Sequence, residues 1–120
     1  MYGKPAGAGK FPAILHIHGG GQTTSPRDIA EMVKRGYACF SFDWTGKTKD
    51  RTEYTDWPKE INSHYAVKPS PKVNKLYHAA LAARRGITFL TQRPEVDADR
   101  IGSKSCDHSS TSASGTFLKM

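Results

Sequence analysis

The sequence predicts an α/β fold, a mostly parallel sheet of about three strands with two main helices, and three observations carry that prediction. An apolar strand runs into a glycine cluster, a helical segment then leads to a second strand rich in aromatic residues, and a long apolar-striped helix precedes a third strand. Strand and helix taking turns is the order that parallel pairing demands, because each parallel pair needs a crossover that covers the sheet. The chain of 120 residues fits one small domain with a single core and is short for most enzymes of this class.

Residues 11–21 read FPAILHIHGGG. Positions 12–17 are mostly apolar or β-forming, as in a strand covered on both faces. His18 then opens onto Gly19, Gly20 and Gly21. Without Cβ atoms the backbone there can take positive φ and turn its N–H groups toward one point, which makes a place for a negative charge. A helix is predicted over 27–35. Pro26 follows Ser25 at the first turn, Gly36 stops the helix, and Ile29, Met32 and Val33 give it one apolar face to lay on the sheet. Residues 37–44, YACFSFDW, form the second strand, which ends at Asp43 and Trp44 before a turn at Thr45-Gly46. Residues 47–73 are polar, contain Pro58, Pro69 and Pro71, and have no steady period. They are an excursion from the core, with Trp57 and Tyr65 as anchors. The second helix is predicted over 72–92, with Leu76, Ala80, Ala83, Ile87 and Leu90 as a long buried stripe. Gly86 inside it costs about 1 kcal/mol relative to alanine and so marks either close packing on a strand or a weak point. Arg93-Pro94 ends the helix, and residues 96–102 lead toward the third strand.

Lys+Arg of 18 against Asp+Glu of 11 gives a net charge of +7 and a pI near 9.6, with a mean hydropathy of −0.61. Such a balance fits an anionic partner. The basic residues are nevertheless spread from Lys34 to Lys104 with no long block and no aromatic-basic recognition motif, so nucleic acid is not expected. Two cysteines are too few for a disulfide framework, and Cys39 lies within an apolar strand where it is expected to pack as a small hydrophobe. Cys39 and Cys106 leave the compartment open. No apolar run reaches the roughly 18 residues of a membrane span, and the N-terminal MYGKPAGAGKF lacks the apolar region of a signal peptide, so neither is expected. His16 and His18 share a strand face at a spacing that can hold a metal, but no third ligand accompanies them, and neither a metal nor a cofactor is expected. Gly46-Lys47-Thr48 lacks the earlier glycine and the following helix of a phosphate-binding loop.

Strand, HGGG, helix, strand, long helix and the segment RRGITFLTQRPEVDADRIG at 84–102 together resemble the α/β-hydrolase superfamily, and more narrowly its acetyl xylan esterase and dienelactone hydrolase-like branch. The resemblance covers residues 11–102. It implies a partial α/β-hydrolase fold and a carboxylic-ester hydrolase that acts by nucleophilic acyl transfer on a small ester or acetylated carbohydrate, without a cofactor. It further implies an oxyanion hole with donors near Gly20 and Gly21, and a pocket shaped by His18, Gly19 and Asp43. The family places G-x-S-x-G after the third strand. Here SCDHS stands in register at 105–109, with serine at both glycine positions and Asp107 at the position of the nucleophile. An aspartate nucleophile is chemically competent. Ser105 and Ser109 would be strained at such an elbow, however, and the tail SSTSASGTFLKM is rich in Ser and Thr where an apolar helix belongs. The change of composition after Gly102 is what a shifted reading frame or a spurious terminus produces. Residues 1–102 are therefore read as a partial hydrolase domain and 103–120 as a degenerate, disordered tail. In this superfamily the acid and histidine of the triad follow the nucleophile. His108 adjoins the elbow and cannot fold back onto Asp107, while His64 and His78 lie upstream, so this chain by itself is expected to be inactive. The alternative is a non-catalytic α/β module that binds an acidic partner through its basic surface or a free sheet edge.

Overall fold

The computed structural model describes residues 1–19, 24–44, 59–61, 63, 65–105 and 118–119. Its strands are β1 (Tyr2–Gly3), β2 (Phe11–Ile17), β3 (Ala38–Ser41), β4 (Val96–Ser105) and β5 (Leu118–Lys119); its helices are α1 (Pro26–Lys34) and α2 (Lys75–Thr91), with a 3-10 turn at Pro71–Val73. The sheet order is β1-β3-β2-β4-β5. β2 pairs in parallel with β3 on one side and β4 on the other, while β1 and β5 add two-residue antiparallel margins. The α/β class, the three parallel strands and the two main helices are as the sequence predicts. The short margins, β5 among them, carry too few residues to leave a pattern.

β2 is the centre because its alternating side chains serve both layers. Ile14 joins Cys39 against Ile29 and Met32 of α1, whereas Ala13 and Leu15 join Ala38, Leu90, Val96 and Ile101 beside α2. Cys39 is fully buried, and burial pushes its thiol up to about 12. α1 starts where a cap is available: the Ser25 hydroxyl accepts from Asp28 N at 3.4 Å, Pro26 takes the first position, and Asp28 and Lys34 complement the two ends of the helix dipole. Gly36, with φ of 89°, then turns the chain toward β3.

α2 begins later than the sequence predicts, because Pro71–Val73 closes a tighter turn first and Asn74 supplies the cap, its Oδ1 accepting from Leu76 N at 2.8 Å and Tyr77 N at 3.3 Å. Its buried stripe is also shorter than the periodicity suggests. Ala83, Ile87 and Leu90 pack on the sheet, but Leu76 is 43% exposed and Ala80 is exposed as well. Gly86 decides between its two readings in favour of close packing, since a Cβ there would stand 2.8 Å from Leu15 Cδ1 and 3.3 Å from Phe40 Cε1.

Beyond α2, the Tyr2 hydroxyl donates to Glu95 Oε1 at 2.9 Å, and Arg93 lies over the rings of Phe89 and Tyr2 at 4.0 and 5.7 Å. Burial, with Glu95 beside it, raises the Tyr2 phenol to about 12. β4 opens irregularly. Its register against β2 shifts between Phe11 and Ala13, and the Asp97 carboxylate organises the step by accepting from Asp99 N at 3.2 Å and Arg100 Nε at 2.6 Å. The strand then runs straight through to Ser105.

Candidate functional site

Parallel pairing brings three strand ends to one edge of the sheet. β2 stops at Ile17 and is followed by His18; β3 stops at Ser41 and is followed shortly by Asp43 and Trp44; β4 reaches Ser105, which pairs with Ile17. Crevices outside the carboxyl ends of parallel strands are where α/β sheets place their ligands, because the crossover loops part there.

His18 is buried, at 2% exposure, with its ring Nδ1 2.9 Å from the Gly19 carbonyl oxygen. A carbonyl only accepts, so Nδ1 carries a hydrogen and donates. Nε2 then faces Asp43, 3.3 Å from Oδ1, without an aligned hydrogen bond. That contact is a close approach rather than a directed bond. Asp43 Oδ1 is already taken by Thr24 N at 2.6 Å, and Oδ2 accepts from Thr24 Oγ1 at 3.0 Å. Trp44 completes the group: its Nε1 donates to the His18 carbonyl at 2.7 Å, and its indole lies nearly parallel to the imidazole, 18° between planes and 6.0 Å between centroids. Asp43 and Trp44 thereby touch both described ends of the connection from β2 to α1, at His18 on one side and at Thr24, just before α1, on the other.

Of the residues the sequence singles out, the structure brings His18, Gly19 and Asp43 together. Gly20, Gly21 and Asp107 lie outside the described residues, as do His64 and His108. His78 is on α2, away from this edge, with its Nε2 2.7 Å from the Lys72 carbonyl oxygen. Sequence reasoning missed Thr24 and Trp44. The signal for Thr24 was its place before the Ser25-Pro26 helix start; for Trp44 it was the carboxylate-aromatic pair at a strand end, which only the fold could aim at His18.

His16 also points to the α1 side, two residues before His18, and its Nδ1 is 3.5 Å from Ser41 Oγ across the β2–β3 pair. Ser41 is 0% exposed, so this serine and histidine form a long, buried cross-strand polar contact and not a nucleophile with its base. Among the described residues no group of three or more metal-ligating side chains converges, and no helix is long and apolar enough to cross a membrane.

Burial holds the His16 imidazole below its ordinary 6.5; Asp28 pulls the other way, and Lys104 and His18 add to the lowering. Its proton is therefore bound more readily by the unfolded chain. Stability from this residue is full above pH 6.5 and falls as the pH drops from there toward the lowered native value, with a slope of at most about 1.4 kcal/mol per pH unit for one proton. Urea unfolding between pH 8 and pH 5 checks this: His16→Asn is expected to flatten the decline, and an equal slope in both proteins would remove His16 as its source.

No protein-family model and no curated protein sequence matches the chain. Among solved structures, the acetyl xylan esterase from Paenibacillus sp. R4 is similar, with a TM-score of 0.63 and 20% identity over 87% of this chain and 35% of that one. The chain spans about a third of that esterase's length. At such identity the likeness speaks for architecture alone, and the architecture is a hydrolase-like α/β fold.

Proposed function

We propose that the chain is the oxyanion-binding part of a carboxylic-ester hydrolase that works by nucleophilic acyl transfer on a small ester or acetylated carbohydrate, and that it does not turn substrate over by itself. One observation carries this: His18 and Thr24, the described residues on either side of Gly20 and Gly21, are both tied to the Asp43–Trp44 pair at the carboxyl edge of a hydrolase-like sheet. A turn fixed in this way can aim backbone N–H groups at an oxygen as it gains charge, and one such donor is worth about 3 kcal/mol of barrier. Gly20 and Gly21 would supply those groups. Gly19 and His18 would shape the turn, with Asp43 as the group that clamps it.

Asp107 occupies the family position of the nucleophile, and the hydrolase-like part is taken to end near residue 102. The name of the structural relative points to acetyl groups on a sugar polymer as the substrate type.

Two measurements test the proposal. Methylphosphonate, a stable mimic of the tetrahedral oxyanion, is expected to shift the backbone amide resonances of Gly19 to Gly21 in 1H–15N spectra while leaving those of α2 in place. p-Nitrophenyl acetate is expected to show no burst and no turnover above the uncatalysed rate. Amides that ignore the phosphonate would remove the oxyanion site. A stoichiometric burst abolished by Asp107→Asn would make this chain catalytic after all.

A further inference from the structure

Between Glu60 and Glu95 the sequence has no aspartate or glutamate, yet it carries Lys68, Lys72, Lys75, Arg84, Arg85 and Arg93. The same stretch holds Tyr65, Val67, Leu76, Tyr77 and Leu81, five of the six large hydrophobic side chains exposed among the described residues. Two independent departures from an ordinary surface therefore coincide: charge of one sign, and apolar groups left in water.

The fold fastens the start of this stretch to α2. Ser63 accepts Lys75 N through its carbonyl at 2.8 Å, while its hydroxyl accepts Tyr65 N at 3.2 Å and Ala66 N at 2.9 Å, so the segment before α2 is fastened against the first turn of the helix. Along α2, Tyr77, Leu81 and Arg84 follow each other at steps of four and three and are exposed, while Ala83, Ile87 and Leu90 turn to the sheet. Among the described residues, Lys68, Lys72, Lys75, Arg84 and Arg85 form no ion pair. Arg93 is set apart, since it lies over Phe89 and Tyr2.

An apolar centre with a cationic rim has the anatomy of a protein interface. Exposed leucine and valine speak for a polypeptide, because a sugar polymer or a nucleic-acid backbone offers them little apolar area to bury. The rim sets the sign of its charge. We propose that the outer face of the first half of α2, with the segment at 65–68, is a docking surface for an amphipathic polypeptide segment whose apolar stripe is flanked by aspartate and glutamate. Tyr77 and Leu81 are the anchors, and the lysines and arginines around them set register and encounter rate.

The probe is a fluorescein-labelled helical peptide of roughly 16 residues, with leucines at helix-face spacing and glutamate elsewhere, titrated against the full chain by anisotropy. A companion peptide has its leucines replaced by alanine. The leucine peptide is expected to saturate with a Kd at least about tenfold below that of its companion, and to weaken as salt rises from about 50 to about 300 mM. Leu81→Asp is expected to weaken binding about tenfold, and Lys34→Glu, on the opposite side of the sheet, to leave it unchanged, with thermal melts showing both variants folded. Equal binding of polyglutamate, a polyuronate or duplex DNA would overturn the proposal in favour of a charge-only surface. Failure to saturate would overturn it too, as would a dimer of the chain that Leu81→Asp dissociates, which would assign the face to a second copy.

Discussion

Gly86→Val is expected to destabilise the chain by about 3 kcal/mol and Gly86→Ala by about 1 kcal/mol, although alanine is the better helix former. Two terms compete. Alanine gains about 1 kcal/mol of helix propensity, but its Cβ would lie 2.8 Å from Leu15 Cδ1 and 3.3 Å from Phe40 Cε1. Leu15 is 1% exposed, so its methyl can retreat only by disturbing the packed layer between sheet and helix. Overpacking of that kind costs about 1 to 3 kcal/mol, which outweighs the propensity gain for alanine and more so for the branched valine. Urea unfolding followed by circular dichroism should order the midpoints wild type, Ala, Val at constant m-value. An alanine variant as stable as wild type would show that Leu15 yields freely.

Asp43→Ala is expected to cost about 2 kcal/mol and to release Thr24 from the strand end at Asp43. The carboxylate takes both the backbone N–H and the hydroxyl of Thr24, at 2.6 and 3.0 Å, and truncation leaves these half-buried donors without their acceptor. Asp43→Asn keeps an acceptor oxygen and is expected to lose about half as much. The readout that separates loss of the clamp from general weakening is the Trp44 indole N–H resonance, since that group donates to the His18 carbonyl at 2.7 Å. It should move in Asp43→Ala well below the unfolding midpoint. An alanine variant within about 0.5 kcal/mol of wild type and with an unmoved indole signal would show that the carboxylate does not hold Thr24 and the His18–Trp44 contact in place.

How far the sequence could be read depended on which force set each feature. The strand from Phe11 to Ile17 and the sheet-covering face of α1 were legible because apolar spacing and a helix cap act locally. The outer half of the α2 stripe was misleading. Leu76 and Ala80 keep the period of the helix but stay outside the core that Ala83, Ile87 and Leu90 join, and no periodicity reports where a sheet ends. Among the site residues, His18 and Gly19 follow from the strand-to-glycine junction. Asp43 was placed at the right edge of the sheet, whereas its bond to Thr24 joins positions 19 apart in sequence and depends on parallel pairing. Trp44 was recognisable as a strand end but not as a partner of His18. The run without acidic residues over 61–94 is hidden in the sequence by basic residues spread along the whole chain, and only the fold shows that Tyr77 and Leu81 are left exposed on α2.

The buried sulfur of Cys39 has a use beyond packing. It lies on the middle of β3, at 0% exposure and with its thiol raised to about 12, so an alkylating reagent reaches it only when the layer under α1 parts. In a background where Cys106 is serine, the slow modification of this single atom becomes a clock for that opening. The free energy it reports is the one that separates a breathing domain from a closed one.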